Sequence, residues 1–330
     1  MNPGAPLLDV DGLTVDFVAH GPPIRANDGV SLEVRAGEVL GIVGESGSGK
    51  TVLCKTILRL LADPPARIVA GSISFNGDDL TRLDEASMRR LRGNAIAMVF
   101  QNPMTSFNPL WTMGDQLTEG LRLHRGLSRR AATAAGIELL ARVGIPSPEI
   151  RIRDYPTQWS GGMLQRAAIA MAVAMEPALL LADEPTTALD VTIQDQILAL
   201  LLDLQARTGM ALVLVSHDLG IIAETCDRVV VMYAGRILET ATSTALFARP
   251  SHPYTEGLLG SIPNLDDAHA GIEPIPGQPP DLTDLGAGCP FAPRCRYASD
   301  DCERQPVALR EVANGHQSAC LFPERMARHG

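Results

Sequence analysis

No stretch of this 330-residue chain reaches the ~18 uninterrupted apolar residues that a membrane-spanning helix needs. The nearest, Ala167 to Ala182, is broken by Glu176-Pro177. Met1-Asn2-Pro3-Gly4 lacks the basic and apolar regions of an export signal, so a cytoplasmic protein is expected, with any membrane role exercised through a partner. Lys and Arg total 28 against 38 Asp and Glu, a net charge of −10, and no basic run stands out; no nucleic-acid partner is expected. Internal repeats, low-complexity tracts and sustained heptads are missing as well. Six cysteines are present, but structural disulfides are not expected in a cytosolic chain. Cys54 and Cys226 stand alone in apolar surroundings and read as small buried hydrophobes. What is there is a 45% hydrophobic composition, enough for a real core, and a length suited to about two domains of roughly 150 residues.

Gly44-Glu45-Ser46-Gly47-Ser48-Gly49-Lys50-Thr51 matches the phosphate-loop pattern G-x-x-x-x-G-K-[ST] at every fixed position. The glycines let the backbone curl so that successive N–H groups face phosphate oxygens. Lys50 supplies a positive charge for the β- and γ-phosphates, and the Thr51 hydroxyl can ligate Mg²⁺. Val39 to Val43 reads as a buried strand before the loop, and Thr51 to about Leu61 as a helix after it. That order sets the phosphates at a helix N-terminus, where unpaired N–H groups favour anions. The chain therefore binds a nucleoside triphosphate.

Leu7 to Val34 alternates as antiparallel strands do, around a Gly21-Pro22-Pro23 loop. Further strands are expected at Gly71 to Gly77, Ala95 to Phe100, Leu179 to Ala182 and Ala211 to Val215, with a hairpin at Arg228 to Glu239 turning on Ala234-Gly235. From about Asn102 to Pro156 the pattern is helical, most clearly from Arg129 to Val143. Alternating strands and helices imply an α/β fold with a parallel sheet and ligands at the strands' C-terminal ends. Beyond Pro250 the chain changes character: Pro263, Pro274, Pro276, Pro279 and Pro280 predict a poorly helical, extended stretch.

Three further segments carry chemistry. The apolar run ending in Asp183-Glu184 delivers two carboxylates to one sheet edge: Asp183 is placed to hold Mg²⁺ through water, and Glu184 to polarise an attacking water. His217, after the next strand, could hydrogen-bond the γ-phosphate. Ser160-Gly161-Gly162 opens a helical run to about Met175, with serine as a favoured N-cap and glycines permitting close approach to an anion.

In this order the segments resemble the ATP-binding subunit of ABC transporters, over about residues 7–259. The resemblance implies an ABC-type P-loop ATPase core with an antiparallel β subdomain and a helical subdomain at about residues 102–165, followed by a cysteine-containing extension over residues 260–330. It also implies that Ser160, Gly161 and Gly162 contact ATP held by the opposite subunit, that Ala188-Leu189-Asp190 completes the nucleotide site, and that Gln101 senses the γ-phosphate and Mg²⁺. Trp159 begins the signature, and Met163 stands where glutamine is commonest, which removes a side-chain hydrogen bond but leaves the anion-facing backbone intact. Phe17, then His20, are the candidates to stack on adenine.

Gln101 to Pro109, Ser160-Gly161-Gly162-Met163, His252-Pro253-Tyr254-Thr255 and Cys289-Pro290-Phe291-Ala292-Pro293-Arg294-Cys295 resemble the oligopeptide/dipeptide/nickel branch of bacterial importers. That implies an ATPase at the cytoplasmic face of the cell membrane, driving two membrane permease subunits beside a second ATP-binding subunit, identical or sibling, with an external solute-binding protein delivering the cargo. The alternative, a soluble ABC ATPase of DNA repair or translation, would call for coiled-coil insertions or two cassettes in one chain. An exporter ATPase would lack the peptide-type tail. Four cysteines close the chain: Cys289, Cys295, Cys302 and Cys320. Four thiolates suit a [4Fe–4S] cluster or tetrahedral zinc. The tight pairs usual for zinc are absent, and the resemblance points to iron–sulfur; zinc and free thiols are the alternatives.

Overall fold

The structure, a computed structural model, describes residues 5–18, 21–187, 189–261, 274–283 and 285–328. His20, Ala188 and Pro263 lie outside them. The strands are β1 (Leu8–Phe17), β2 (Ile24–Val34), β3 (Val39–Val43), β4 (Ala66–Phe75), β5 (Asp78–Asp79), β6 (Ile96–Val99), β7 (Leu179–Asp183), β8 (Ala211–Val215), β9 (Arg228–Tyr233), β10 (Arg236–Thr242), β11 (Arg310–Ala313) and β12 (His316–Ser318). The chain divides into two units, one of residues 1–34, 39–81 and 216–330, the other of residues 35–38 and 82–215.

In the first unit, β2-β1-β4-β5 form an antiparallel sheet, as the alternation near the N-terminus predicts. Asn76 and Gly77, with φ of 52° and 89°, make the left-handed pair that a tight hairpin with right-handed twist requires, so β4 folds back as β5. A second sheet runs β11-β12-β10-β9-β3. Its strand β3 is buried at every position and pairs parallel with β9, the burial expected of a strand covered on both faces. The predicted hairpin is found, β9 and β10 joining at Ala234-Gly235.

One expectation for this unit needs correcting. The helix after the phosphate loop, Lys50–Ile57, ends four residues short of Leu61, and Arg59 already has a left-handed φ of 50°. In the proline-rich stretch the described residues 274–283 form neither helix nor strand, as their prolines suggest, and regular structure flanks them. Pro253 sits at the first turn of the helix Pro253–Gly260, where its missing N–H costs nothing, and β12 pairs antiparallel with β10 through Glu239↔Ser318.

The second unit contains the parallel strands β6-β7-β8 in spatial order, and β7 and β8 are buried throughout. The helices Met113–Arg125, Arg129–Arg142 and Gly161–Val173 pack around Phe107, Met113, Leu117, Leu121, Leu140 and Leu164. Their starts are written locally. The Thr112 hydroxyl accepts from Asp115 N–H at 3.1 Å and donates to the Asp115 carboxylate at 2.7 Å, and Ser128 caps the next helix. Leu117 is 2% exposed, and Leu117→Ala should lower the unfolding free energy by about 2–5 kcal/mol through lost burial and a residual cavity, measurable by urea denaturation.

Candidate functional site

The phosphate loop, residues 44–51, lies in the first unit between β3 and the helix Lys50–Ile57. Its shape depends on glycine at two points. A Cβ on Gly44 would stand 2.1 Å from the Met232 carbonyl oxygen, and one on Gly49, at φ 100°, 2.4 Å from that of Ala26; no side chain fits either place. The Lys50 ammonium turns back over the loop, donating to the carbonyls of Gly44 at 2.7 Å and Glu45 at 2.8 Å and to Ser48 Oγ at 3.1 Å. Lys50 and Ser48 are buried, and Thr51 follows at the helix start. Asn27 Nδ2 donates to the Gly49 carbonyl at 3.2 Å, tying β2 to the loop.

His217 is also in the first unit, exposed after Ser216 and just before the helix Leu219–Thr225, which Asp218 caps. Phe17 ends β1, half-buried between its partners Ile24 and Ala66.

The acidic edge belongs to the second unit. Asp183, 1% exposed, ends β7. Glu184 follows with a left-handed φ of 46°, a conformation that costs a non-glycine residue about 1–3 kcal/mol and recurs at functional sites. Its amide donates to the Val215 carbonyl at 3.0 Å, while its carboxylate Oε2 accepts from Gln101 Nε2 at 2.7 Å and Thr187 Oγ1 at 2.8 Å. Gln101 and Glu184, 83 residues apart, are thus brought together beside Asp183.

Ser160 is exposed and caps the helix Gly161–Val173, accepting from Met163 N–H at 3.3 Å. The side chain of residue 163 is not needed for that bond, which agrees with methionine being tolerated there. Asp190 caps the helix Val191–Thr208 by accepting from Ile193 N–H at 3.0 Å.

The iron–sulfur expectation is overturned. All four tail cysteines line one cavity, but it measures only about 20 Å³, close to the room of a single water. Among the described residues no group of three or more His, Cys, Asp or Glu side chains could hold a metal ion, which removes the zinc alternative too. Burial pushes the thiols of Cys289 and Cys320 up to about 11 and raises that of Cys295. The six cysteines are free thiols. Cys54 and Cys226 are buried as expected, and burial pushes the Cys226 thiol up to about 12.

Sequence reasoning missed a set of residues around Glu45. Arg294 from the tail forms a two-pronged ion pair with its carboxylate, and the Tyr254 hydroxyl accepts from its amide at 2.7 Å. Both residues stand in segments noted for likeness alone, His252 to Thr255 and Cys289 to Cys295.

Comparison with known proteins agrees with this geometry. Residues 27–187 match the family described as ABC transporter, and residues 238–302 match the oligopeptide/dipeptide transporter, C-terminal region. The chain is 50% identical over 321 residues to the probable peptide ABC transporter ATP-binding protein y4tR of Sinorhizobium fredii, covering 97% of this chain and 96% of that protein. It is 48% identical over 317 residues to the dipeptide transport ATP-binding protein DppD of Escherichia coli, covering 96% and 97%. The dimeric post-hydrolysis structure of the ATP-binding cassette MJ0796, bound to ADP and Pi, superposes with a TM-score of 0.65 at 27% identity, covering 72% of this chain and 98% of that one.

Proposed function

The chain belongs to the ATP-binding subunits of ABC transporters, and from that premise we propose that it hydrolyses ATP to drive import of dipeptides or oligopeptides. The observation that carries the reading is the loop at Gly44 to Thr51, sterically closed to side chains at Gly44 and Gly49 and holding a buried Lys50. The peptide cargo is supported by relatives named for dipeptide and peptide transport and by the match of the C-terminal region.

The residue roles follow from chemistry. Loop amides, with Lys50, receive the phosphates. Thr51 and Asp183 offer a hydroxyl and a carboxylate, hard oxygen donors of the kind Mg²⁺ takes, and would hold that ion, which neutralises charge developing on the phosphates. Glu184 accepts a proton from the attacking water, with Gln101 fixing its carboxylate, and His217 orients the γ-phosphate. Ser160, Gly161 and Gly162, with Asp190, serve the nucleotide of the opposite ATP-binding subunit, as the exposure of Ser160 supports. Phe17 is the residue assigned to stack on adenine. The nucleotide-binding cassette spans residues 1–259 and the extension residues 260–330.

No helix among the described residues is long and apolar enough to cross a membrane, so the pathway must come from others: two permease subunits, receiving cargo from an external solute-binding protein. Their docking surface is placed after Gln101, where Met104, Leu110 and Trp111 are 57%, 81% and 50% exposed, an apolar display that soluble surfaces usually avoid. The test is reconstitution with the permeases in vesicles. Leu110→Ser with Trp111→Ser should leave ATP hydrolysis by the isolated subunit within about twofold while abolishing peptide uptake and co-purification with the permeases. Full uptake by that variant would remove the docking assignment, and absence of hydrolysis by the wild-type assembly would remove the function.

A further inference from the structure

Glu45 places an acid inside a loop that has to receive a polyanion. Its carboxylate does not stand alone: Arg294 Nη1 donates to Oε2 at 2.6 Å and Nη2 to Oε1 at 3.0 Å. Arg294 is held from behind as well, its Nε donating to the Pro276 carbonyl at 2.8 Å and Nη1 to Tyr233 Oη at 3.2 Å. The arginine side chain is 6% exposed and the glutamate 26%, so this pair is screened far less than a surface ion pair. Hydrogen bonding to Glu45, more than any other influence, raises the Arg294 guanidinium further above its ordinary range; it is charged at any working pH.

The surroundings lock this geometry. Tyr254 Oη receives the Glu45 amide at 2.7 Å. The rings of Tyr233, Tyr254 and Phe291 pack against one another, tilted or edge-to-face, at centroid distances of 4.6, 5.3 and 5.5 Å, the spacing of favourable aromatic pairs. A cavity of about 170 Å³ opens over Glu45 to Ser48 and is walled on its far side by Pro279, Pro280 and Leu282 of the tail. Loop and tail meet here within one unit.

We propose that Arg294 is a positioning residue for nucleotide binding: supplied by the C-terminal tail, it cancels and fixes the Glu45 charge so that the phosphate loop can accept a triphosphate. The inference rests on the reading that this loop binds ATP. A bidentate arginine–carboxylate pair holds direction as well as charge, so the guanidinium keeps the acid turned toward the tail. Without it, a partly buried carboxylate would share a low-dielectric site with phosphate oxygens, and like charges there repel strongly. The repulsion grows with the ligand's charge, which separates this role from simple anchoring of the tail.

The experiment is calorimetric titration of ATP and ADP into the full chain at two salt concentrations, for wild type, Arg294→Gln, Arg294→Lys, Glu45→Gln and the Glu45→Gln/Arg294→Gln double variant. Arg294→Gln should weaken ATP binding about tenfold, about 1.4 kcal/mol, and ADP binding less. The deficit should shrink at high salt. Glu45→Gln placed on top should restore most of the lost affinity, and Arg294→Lys should lose less than Arg294→Gln. ATP affinity of Arg294→Gln within twofold of wild type, or a double variant as weak as the single, overturns the proposal while leaving the ATP reading intact. A wild-type chain with no nucleotide affinity overturns both. Should Arg294→Gln fail to fold, the double variant decides: near-wild-type ATP affinity supports charge cancellation, and lost affinity in a folded double variant overturns it.

Discussion

Glu184→Gln is expected to bind ATP as the wild-type chain does while its steady-state hydrolysis falls by about 10²- to 10⁴-fold, the range associated with loss of a general base. The substitution keeps size and shape, so the contacts with Gln101 and Thr187, at 2.7 and 2.8 Å, have a side chain to meet, and the left-handed backbone at residue 184 is unaffected. What is lost is an oxygen basic enough to take a proton from water. Because hydrolysis is the step that lets nucleotide leave, the variant should accumulate as an ATP-bound dimer in size-exclusion chromatography with ATP and Mg²⁺. Turnover near wild type would take Glu184 out of its assigned role, whatever the affinity for ATP.

Lys50→Ala is expected to fail one step earlier. The ammonium is 5% exposed and donates to three loop oxygens, so the fold itself holds it in the cradle where phosphate oxygens would be received. Removing it deletes the loop's own positive charge and leaves those oxygens short of a donor. Charge-assisted hydrogen bonds contribute about 1.5–3 kcal/mol each, and ATP affinity should fall by roughly 100-fold or more, about 2.7 kcal/mol. Titration with ATP reads this directly. Retained affinity with lost hydrolysis would assign Lys50 to catalysis alone.

These two outcomes concern residues that announce themselves in the sequence, and the reason is local. A phosphate loop needs its glycines, lysine and threonine within eight consecutive positions, and a buried strand that stops at two acids needs only one short run. The same locality makes Thr112, Ser128 and Ser160 readable as caps, since each acts on an amide three residues away. Arg294 offers no such signal: its partner is 249 residues distant, and in its own segment it looks like a spacer between cysteines. Tyr254, 209 residues from the amide it receives, is hidden for the same reason.

The cysteines mislead from the opposite side. Their clustering along the tail is real, and they do line one cavity, but spacing carries no information on volume, and the room among the thiols is fixed by Pro253, Phe291 and their neighbours packing into the same space. The early end of the helix at Ile57 is likewise a matter of backbone geometry at Arg59, where nothing in the side chains forbids another turn.

The pairing of β12 with β10 has a practical bearing on how this subunit can be cut. Glu239, in the middle of β10 and 0% exposed, has its carboxylate answered by His316 Nε2 at 2.6 Å and by the amides of Ser251 and His252. Trimming the polypeptide after the helix Pro253–Gly260 would strip away the histidine and bare a row of unpaired peptide groups, a template for intermolecular stacking. The strand His316–Ser318 is masonry for β10, and any engineered fusion or minimal version has to carry it along.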